Sequence, residues 1–159
     1  MIFFMGQILT KSVLIYVVKD LKDNNVKIAA TNGCFDILHV GHVKYLSEAK
    51  KCGDILVVGL NSDASVKMLK GETRPINPQN DRAQVLAALS CVDYVVIFDE
   101  ISPIELLKSI KPDVYVKGAD YTVETLPEAK PLLDLGIEIK FVDFVAGKST
   151  SNIIEKSQK

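Results

Sequence analysis

Five short apolar runs alternate along the chain with segments whose apolar residues have helical spacing. The runs are 26–30, 55–60, 94–98, 114–117 and 137–142. The second run is apolar at nearly every position, which is typical of a strand in a parallel sheet that is covered on both faces. Strands and helices that alternate in this way are joined by right-handed crossovers. The sequence therefore predicts an α/β fold with a doubly wound, five-stranded parallel sheet.

Helical segments are predicted around and between these strands. Their approximate ranges are 10–23, 41–51, 64–69, 79–89, 102–110, 126–135 and 153–157. The segment 102–110 has Pro103 at its first helical position and Glu105 at its third, which is typical of a capped helix start. The sequence shows no internal repeat, linker or low-complexity tract. We therefore expect residues 1–159 to form one domain, with 1–9 as a loose N-terminus.

The charge and cysteine content argue against several classes of protein. A formal charge of −1 over 159 residues gives no general attraction to nucleic acid. The three cysteines are scattered without Cys-x-x-Cys spacing, which argues against a zinc site or a disulfide framework and favours a reducing cytosol. Residues 1–5 are apolar but lack the features of a signal peptide, and no apolar run reaches the ~18 residues of a membrane span. We expect a cytoplasmic protein that acts on small molecules, without a nucleic-acid or membrane partner.

The stretch Thr31–His42 carries the strongest indication of function. It connects the first predicted strand to a helix, and ligands bind at such turns because they lie at the carboxyl ends of parallel strands. His39 and His42, the only histidines in the chain, stand at the start of that helix. Free N–H groups and the helix dipole attract anions there, and imidazole donors suit a phosphate group during its transfer. The alternative is a purely structural role for both histidines as helix caps.

The residues GCFDILHVGH at 33–42 resemble the HxGH signature of the cytidylyltransferase-like nucleotidyltransferases, which have a Rossmann-like sheet. Further similar stretches are 56–63 (LVVGLNSD), 70–75, 81–89, 91–99 (CVDYVVIFD), 117–121 (KGADY) and 147–154. The resemblance therefore extends from about residue 10 to the C-terminus. The longer matches are similar to the heptose 1-phosphate adenylyltransferases. Some members fuse this domain to a sugar kinase, for which this chain has no room, so a stand-alone form is expected.

The resemblance implies the transfer of AMP from ATP to a heptose 1-phosphate, with release of pyrophosphate, in the synthesis of bacterial surface polysaccharide. The catalytic residues that it implies are His39 and His42, which hold phosphate oxygens, and Lys70 and Arg82, which hold the leaving pyrophosphate. Mg²⁺ is expected to bridge the phosphates without a protein side chain as direct ligand. The family also suggests a homodimer or a higher homo-oligomer.

The same resemblance implies residues around the nucleotide and the acceptor. The segment 147–151 matches the family's second signature, where hydroxyl and N–H groups at a helix start hold phosphates. Phe144 stands near the place where glycerol-phosphate cytidylyltransferases have an arginine, which argues against that branch. The nucleotide-binding residues implied are Asn32, Gly33, Cys34, Phe35, Asp36, Gly41, Lys117, Asp120, Gly147, Ser149, Thr150 and Ser151. Those implied on the substrate side are Asn61, Asp63, Arg74 and Tyr121.

Several of these residues also have a structural interpretation. Asn61 and Asp63 suit a helix N-cap, Asp36 suits a turn in which a carboxylate accepts backbone N–H groups, and Cys34 is interpreted as packing. Residue identity does not determine the base, so ATP rests on the resemblance alone. Two alternatives for the function stay open. One is another HxGH enzyme, acting on glycerol 3-phosphate, ethanolamine phosphate or flavin mononucleotide, and the other is a non-catalytic nucleotide-binding module.

Overall fold

The computed structural model describes residues 5–143 and 150–157, in which strands and helices alternate. The strands are β1 (Gln7–Ile8), β2 (Ile28–Gly33), β3 (Ile55–Asn61), β4 (Tyr94–Phe98), β5 (Val114–Gly118) and β6 (Glu138–Val142). The helices are α1 (Lys11–Asp23), α2 (Val40–Lys50), α3 (Asp63–Lys70), α4 (Gln79–Ala87), α5 (Ile104–Ile110), α6 (Ala129–Asp134) and α7 (Thr150–Ser157).

The strands form one parallel sheet in the order β1-β4-β3-β2-β5-β6. From β2 the chain proceeds through β3 and β4 toward one edge, and it then returns to place β5 on the other side of β2. The direction of winding therefore reverses between β2 and β5. In open α/β sheets a crevice forms at this point, at the carboxyl ends of the strands, and ligands bind in it.

Two apolar clusters lie on opposite faces of the sheet, because successive side chains of a strand point to opposite sides. On one face, α1, α5 and α6 cover side chains such as Ala30, Val57 and Tyr115. On the other face, α2 and α4 cover side chains such as Leu56 and Val58. Helices on both faces of a parallel sheet confirm the predicted doubly wound α/β fold.

The sheet has six strands in the described residues rather than the five predicted, because the two-residue strand β1 adds at the edge beside β4. The N–H groups of Gly6, Gln7 and Leu9 donate to carbonyls at the end of α4 and along the β4 segment, at 2.8–2.9 Å. These bonds tie residues 6–9 to the sheet edge. A two-residue strand is too short to show a periodicity that sequence patterns would detect.

Some helix bounds differ from those expected. Helix α5 begins at Ile104, with Pro103 as its N-cap residue rather than its first helical residue. Helix α6 is shorter than the predicted 126–135, because turns at 123–125 and 127–128 precede it. Helix α7 begins at Thr150, three residues before the predicted 153.

Across residues 5–143 and 150–157, none of the helices has both the length and the apolar character that a membrane crossing demands.

Candidate active site

A cavity of about 630 Å³ lies where the winding of the sheet reverses, at the carboxyl ends of β2, β3 and β5. Its volume is in the range of small-molecule binding sites. Its walls come from the turn after β2, the loop after α3, the start of α5, the segment before α6 and the start of α7. The predicted site residues that line it are Asn32, Gly33, Cys34, Phe35, Asp36, His42, Asn61, Lys70, Arg74, Lys117, Tyr121, Thr150 and Ser151.

Gly33 and Phe35 shape the tight turn that follows β2. A Cβ added at Gly33 would lie 2.9 Å from the ring of Phe35, so a larger residue here would displace that ring. Phe35 itself has φ 44°, a left-handed conformation that costs a residue with a side chain about 1–2 kcal/mol. Its ring stands edge-on to that of His42, with the two centroids 5.3 Å apart. The strained turn thus places an aromatic ring against one of the candidate catalytic histidines.

His39 and His42 cap the start of α2 with their imidazole rings. The Gly41 N–H donates to Nδ1 of His39 at 3.1 Å, and the His39 N–H donates to Nδ1 of His42 at 3.4 Å. This reciprocal arrangement is a capping box, and it satisfies N–H groups that a helix start leaves without intrahelical partners. The two rings stack, with their centroids 3.9 Å apart. Capping uses only the Nδ1 side of each ring, so it is compatible with a catalytic role.

His42 is neutral in this environment. Burial, together with the neighbouring His39, lowers the pKa of His42 from 6.5 to about 4. At pH 7 the ring therefore carries one proton. Because Nδ1 accepts the His39 N–H, that proton resides on Nε2. His42 lines the cavity, so it offers a neutral N–H donor to a bound ligand.

Asp36, which is buried in the turn after β2, anchors the loop between α3 and α4. Its carboxylate accepts the N–H groups of Ile76 and Asn77 at 2.8–3.0 Å and the Nε–H of Arg74 at 2.5 Å. Asn77 also donates from its side chain to the Asp36 carbonyl at 2.7 Å. Burial alone would raise the pKa of Asp36, but these hydrogen bonds lower it below its usual value. The turn role predicted for Asp36 thus extends to the loop that carries Arg74.

Arg82 is buried, and its guanidinium bonds other parts of the protein. It donates to the carbonyls of Cys34, Asn61 and Asn77 at 2.6–2.9 Å. It also pairs with the Asp63 carboxylate at 2.7 Å. Four of its five N–H donors are used in this way. Arg82 therefore ties the turn after β2 to the end of β3 and to the loop before α4, and its contact with pyrophosphate stays a prediction.

The opposite wall of the cavity contains a buried polar network that begins on β5. The Tyr115 hydroxyl lies 2.6 Å from Oδ1 of Asn32 and 2.7 Å from Oε1 of Glu128. The Lys117 ammonium lies 3.5 Å from the same Glu128 oxygen and 5.7 Å from the ring centroid of Tyr121. Burial lowers the pKa of Lys117, although the Glu128 carboxylate opposes that shift. This wall therefore brings a cation and an anion to the cavity side by side.

Several positive groups converge on the cavity. Lys70 is exposed at the end of α3, Arg74 lies beside Asp36, and Lys117 comes from β5. The N-termini of α2 and α7 add their helix dipoles. Thr150 fixes α7 here, since its hydroxyl donates to the Ile37 carbonyl at 3.1 Å. Cations and helix N-termini together suit a ligand with several phosphate groups.

The remaining predicted residues are not among those that line the cavity, or they lie outside the described part of the chain. His39 stacks on His42, Gly41 is buried in the first turn of α2, and Asp63 pairs with Arg82. Asp120 is exposed just after β5. The predicted nucleotide-binding residues Gly147 and Ser149, and also Phe144, lie outside the described residues.

Sequence reasoning missed Tyr115 and Glu128. Tyr115 had a usable signal, because residues two apart on a strand share a face and Lys117 was already a candidate. Glu128 had none, since it lies in an irregular segment before α6 and its contacts depend on how that segment packs. Segment 101–103 before α5, which also lines the cavity, was missed for the same reason.

Comparison with known proteins supports the resemblance. The sequence profile described as cytidylyltransferase-like matches residues 30–157. The relative named bifunctional protein HldE from Wolinella succinogenes is 53% identical over 154 residues, which cover 96% of this chain and 31% of the relative. HldE proteins from Nitratiruptor sp. and Campylobacter concisus are 57% and 61% identical, covering 87% and 82% of this chain and 29% and 27% of their own length. The chain thus spans less than a third of the length of these relatives.

A solved structure gives an independent comparison. The crystal structure of the lipopolysaccharide core biosynthesis protein from Thermoplasma volcanium GSS1 is similar to this chain with a TM-score of 0.61 and 33% sequence identity. The similarity covers 76% of this chain and 97% of that protein. The profile match includes the turn after β2 with His39 and His42, strand β5 and the start of α7, all of which contribute to the cavity. This chain belongs to the cytidylyltransferase-like family.

Proposed function

We propose that this protein transfers AMP from ATP to a heptose 1-phosphate and releases pyrophosphate. A phosphate oxygen of the sugar attacks the α-phosphorus of ATP, and the new P–O bond forms as the bond to pyrophosphate breaks. No covalent enzyme intermediate is needed, because the acceptor already carries an anionic nucleophile. The proposal is supported by the resemblance of 33–42 and 117–121 to the heptose 1-phosphate adenylyltransferases and by the high identity to the HldE relatives.

The observation that carries this proposal is the neutral N–H donor of His42 at the start of α2. In transfer reactions at phosphorus the protein acts mainly by positioning the reactants and by stabilising charge on the phosphate oxygens. The Nδ1 bond to the His39 N–H and the edge contact with Phe35 hold the His42 ring in place. A donor that is already oriented stabilises the transition state without reorganisation. His39, stacked on His42, is proposed to act on the same phosphate oxygens.

The leaving pyrophosphate is proposed to lie among the cations on the side of the cavity formed by the turn after β2 and the loop after α3. Lys70 and Arg74 line the cavity there, and Thr150 and Ser151 add hydroxyl groups at the start of α7. Arg82 is proposed to contribute by fixing the turn and the loop that surround the pyrophosphate, since most of its donors bond the protein itself.

Mg²⁺ is proposed to bind with ATP, on its phosphate oxygens. The described residues contain no group of three or more His, Cys, Asp and Glu side chains placed to hold a metal ion. When bound, the ion would neutralise part of the charge on the triphosphate.

We further propose that the chain is a single nucleotidyltransferase domain that acts in the cytoplasm as a homodimer or a higher homo-oligomer, in the synthesis of a surface polysaccharide. The similar solved protein takes part in lipopolysaccharide core biosynthesis according to its name. The three cysteines, all in the described residues, are free thiols, as expected in a reducing compartment. Sedimentation of the purified chain tests the dimer.

A pyrophosphate-release assay tests the activity. The purified protein is offered ATP, CTP or GTP in combination with a heptose 1-phosphate, glycerol 3-phosphate, ethanolamine phosphate or flavin mononucleotide. We expect the highest kcat/KM for ATP with the heptose 1-phosphate. A higher value with another acceptor would assign the chain to another branch of the family. ATP binding without turnover on any acceptor would support a non-catalytic module.

A further inference from the structure

Glu128 is a buried carboxylate on the cavity wall that the proposed mechanism does not use. Only 6% of its surface is exposed, and it lies among the residues that line the cavity. Burying a charged group is costly unless other groups compensate for the lost hydration. The Tyr115 hydroxyl and the Lys117 ammonium supply part of that compensation, both at Oε1.

The second oxygen of Glu128, Oε2, takes no part in the contacts with Tyr115 and Lys117. In the described residues no buried side-chain oxygen lacks a hydrogen-bond partner. Oε2 of Glu128 has no such partner there, because the Tyr115 and Lys117 contacts both involve Oε1. Oε2 is therefore not fully buried, and Glu128 is one of the residues that line the cavity. It is an acceptor that a ligand hydroxyl can reach.

Lys117 presents the complementary group beside it. Its ammonium has three N–H donors, and its contacts among the described residues are the Glu128 oxygen at 3.5 Å and the rings of Tyr115 and Tyr121, each with its centroid at 5.7 Å. Lys117 also lines the cavity. The Glu128 carboxylate and the Lys117 ammonium lie next to each other, so Oε2 can accept a hydrogen bond where the ammonium can donate one. Two adjacent hydroxyl groups on one ligand match this pair, because one hydroxyl donates while the oxygen of the other accepts.

We propose that Glu128 and Lys117 together bind a vicinal diol of a substrate, and that Glu128 thereby determines specificity. The proposal rests on the proposed function, in which both substrates carry such a diol, on the ribose of ATP and on the heptose ring. A phosphate group does not suit this position, since it would meet the Glu128 carboxylate. The neighbouring Tyr121, Leu126 and Pro127 offer apolar surface to the carbon face of a sugar ring.

A combined change of protein and ligand tests the diol. Wild type and Glu128→Gln are titrated by calorimetry with ATP, 2′-deoxyATP and 3′-deoxyATP, and then with the heptose 1-phosphate and its ring-deoxy analogues. We expect wild type to bind one parent ligand about ten- to hundredfold more tightly than its deoxy form, as for a hydrogen bond to a charged group. Glu128→Gln should lose most of this discrimination. The ligand for which discrimination is lost identifies whether the diol is that of ribose or heptose.

Glu124→Gln is the matched control, because it removes an exposed carboxylate from the same segment. It should leave the discrimination unchanged. Should Glu128→Gln fail to fold, Glu128→Asp keeps the charge and withdraws Oε2 from the cavity, and it should show the same loss. Equal binding of parent and deoxy forms by wild type, for both substrates, would overturn the proposal. So would a Glu128→Gln protein that weakens parent and deoxy forms by the same factor.

The binding experiment is independent of turnover, so it separates this proposal from the proposed activity. Discrimination that depends on Glu128, without pyrophosphate release, would support the diol site and contradict the adenylyltransferase activity. Turnover without any discrimination between parent and deoxy forms would support the activity and overturn the diol site.

Discussion

The two walls of the cavity use buried charges in different ways. At the turn after β2, the Asp36 carboxylate of the cavity wall and the Arg82 guanidinium that supports this wall direct nearly all of their hydrogen bonds to other parts of the protein. On the β5 wall, Glu128 and Lys117 are also largely buried, but both line the cavity and they bond the protein through fewer of their polar atoms. The buried charges of the first wall therefore fix the positions of its turn and loop, whereas those of the second wall are available to contact a ligand.

This difference follows from what each wall has to do. The histidines contribute only if their donors are oriented before the ligand binds, and such orientation requires supporting hydrogen bonds. Asp36 and Arg82 provide that support for the turn and for the loop that carries Arg74. Changes in the first wall should therefore reduce stability, and changes in cavity-facing groups should reduce binding or turnover.

The largest effect is expected for Arg82→Ala. The change leaves three backbone carbonyls and the Asp63 carboxylate without their donor. We expect the free energy of unfolding, measured by urea denaturation, to fall by about 3–5 kcal/mol, as for a broken buried ion pair. The lower end applies here because the Asp63 side chain is 38% exposed. Gln84→Ala, an exposed change on the same helix, should stay within about 0.5 kcal/mol.

An unchanged free energy of unfolding in Arg82→Ala would contradict the structural role of Arg82 in the first wall, and with it the difference between the two walls. If its dissociation constant for ATP rose instead, the guanidinium would belong to the ligand-contacting groups, as the sequence alone suggested.

His42→Ala should have the next largest effect, and on turnover rather than on folding. Loss of the Nε2 donor is expected to lower kcat at least ~100-fold, equivalent to about 2.7 kcal/mol of transition-state stabilisation. The dissociation constant for ATP should change little, because other groups hold the triphosphate. The lost cap bond should cost about 1 kcal/mol of stability. Unchanged kcat in the pyrophosphate-release assay would refute the catalytic role of His42.

The two walls also differed in how far the sequence predicted them. Gly33, Phe35, His39 and His42 lie within ten residues of one another, so a local pattern was enough to place them at one turn. Lys117 was predicted because the stretch 117–121 resembles the family and ends an apolar strand on the same edge of the sheet. The alternating strands and helices were sufficient for the doubly wound fold, since the crossover rule leaves few arrangements open.

The partners of Arg82 and Glu128 depended on tertiary packing. Arg82 bonds the carbonyls of Cys34 and Asn61, 48 and 21 residues away, and a backbone carbonyl leaves no mark in the sequence. Glu128 meets Tyr115 only because an irregular segment folds back over β5. The sequence therefore did not show the hydrogen bonds that hold the buried Arg82 in place. It also missed the Glu128 carboxylate of the second wall.

Acid should weaken the first wall by a smaller amount. His42 has a pKa of about 4 in the folded protein and about 6.5 when unfolded. Between these values the unfolded state binds more protons, so stability should fall as the pH is lowered from 6.5 toward 4. We expect a loss of about 1–2 kcal/mol at pH 4.5, after allowance for solvent screening of a partly exposed ring. Below about pH 3.8, protonation of Asp36, whose pKa is lowered, should remove further stability.

Urea denaturation of wild type and His42→Gln at pH 7 and pH 4.5 measures the histidine contribution. The variant lacks the titrating ring, so wild type should lose more stability than the variant between the two pH values. Equal losses in both proteins would show that other groups cause the acid sensitivity.

The smallest effect is expected for Lys70→Ala, which tests whether an exposed charge contributes to the ligand and not to the fold. Lys70 lines the cavity, and Lys67 is exposed on the same helix. Lys70→Ala should lower kcat/KM for ATP about three- to tenfold, with less than about 0.5 kcal/mol lost in stability. Lys67→Ala should change neither quantity. Since salt screens exposed charges, the Lys70 effect should shrink as ionic strength rises. An equal loss of kcat/KM in both variants would instead indicate general attraction of ATP by the positive end of α3. A large loss of stability in Lys70→Ala would place Lys70 with Arg82 among the groups that support the first wall.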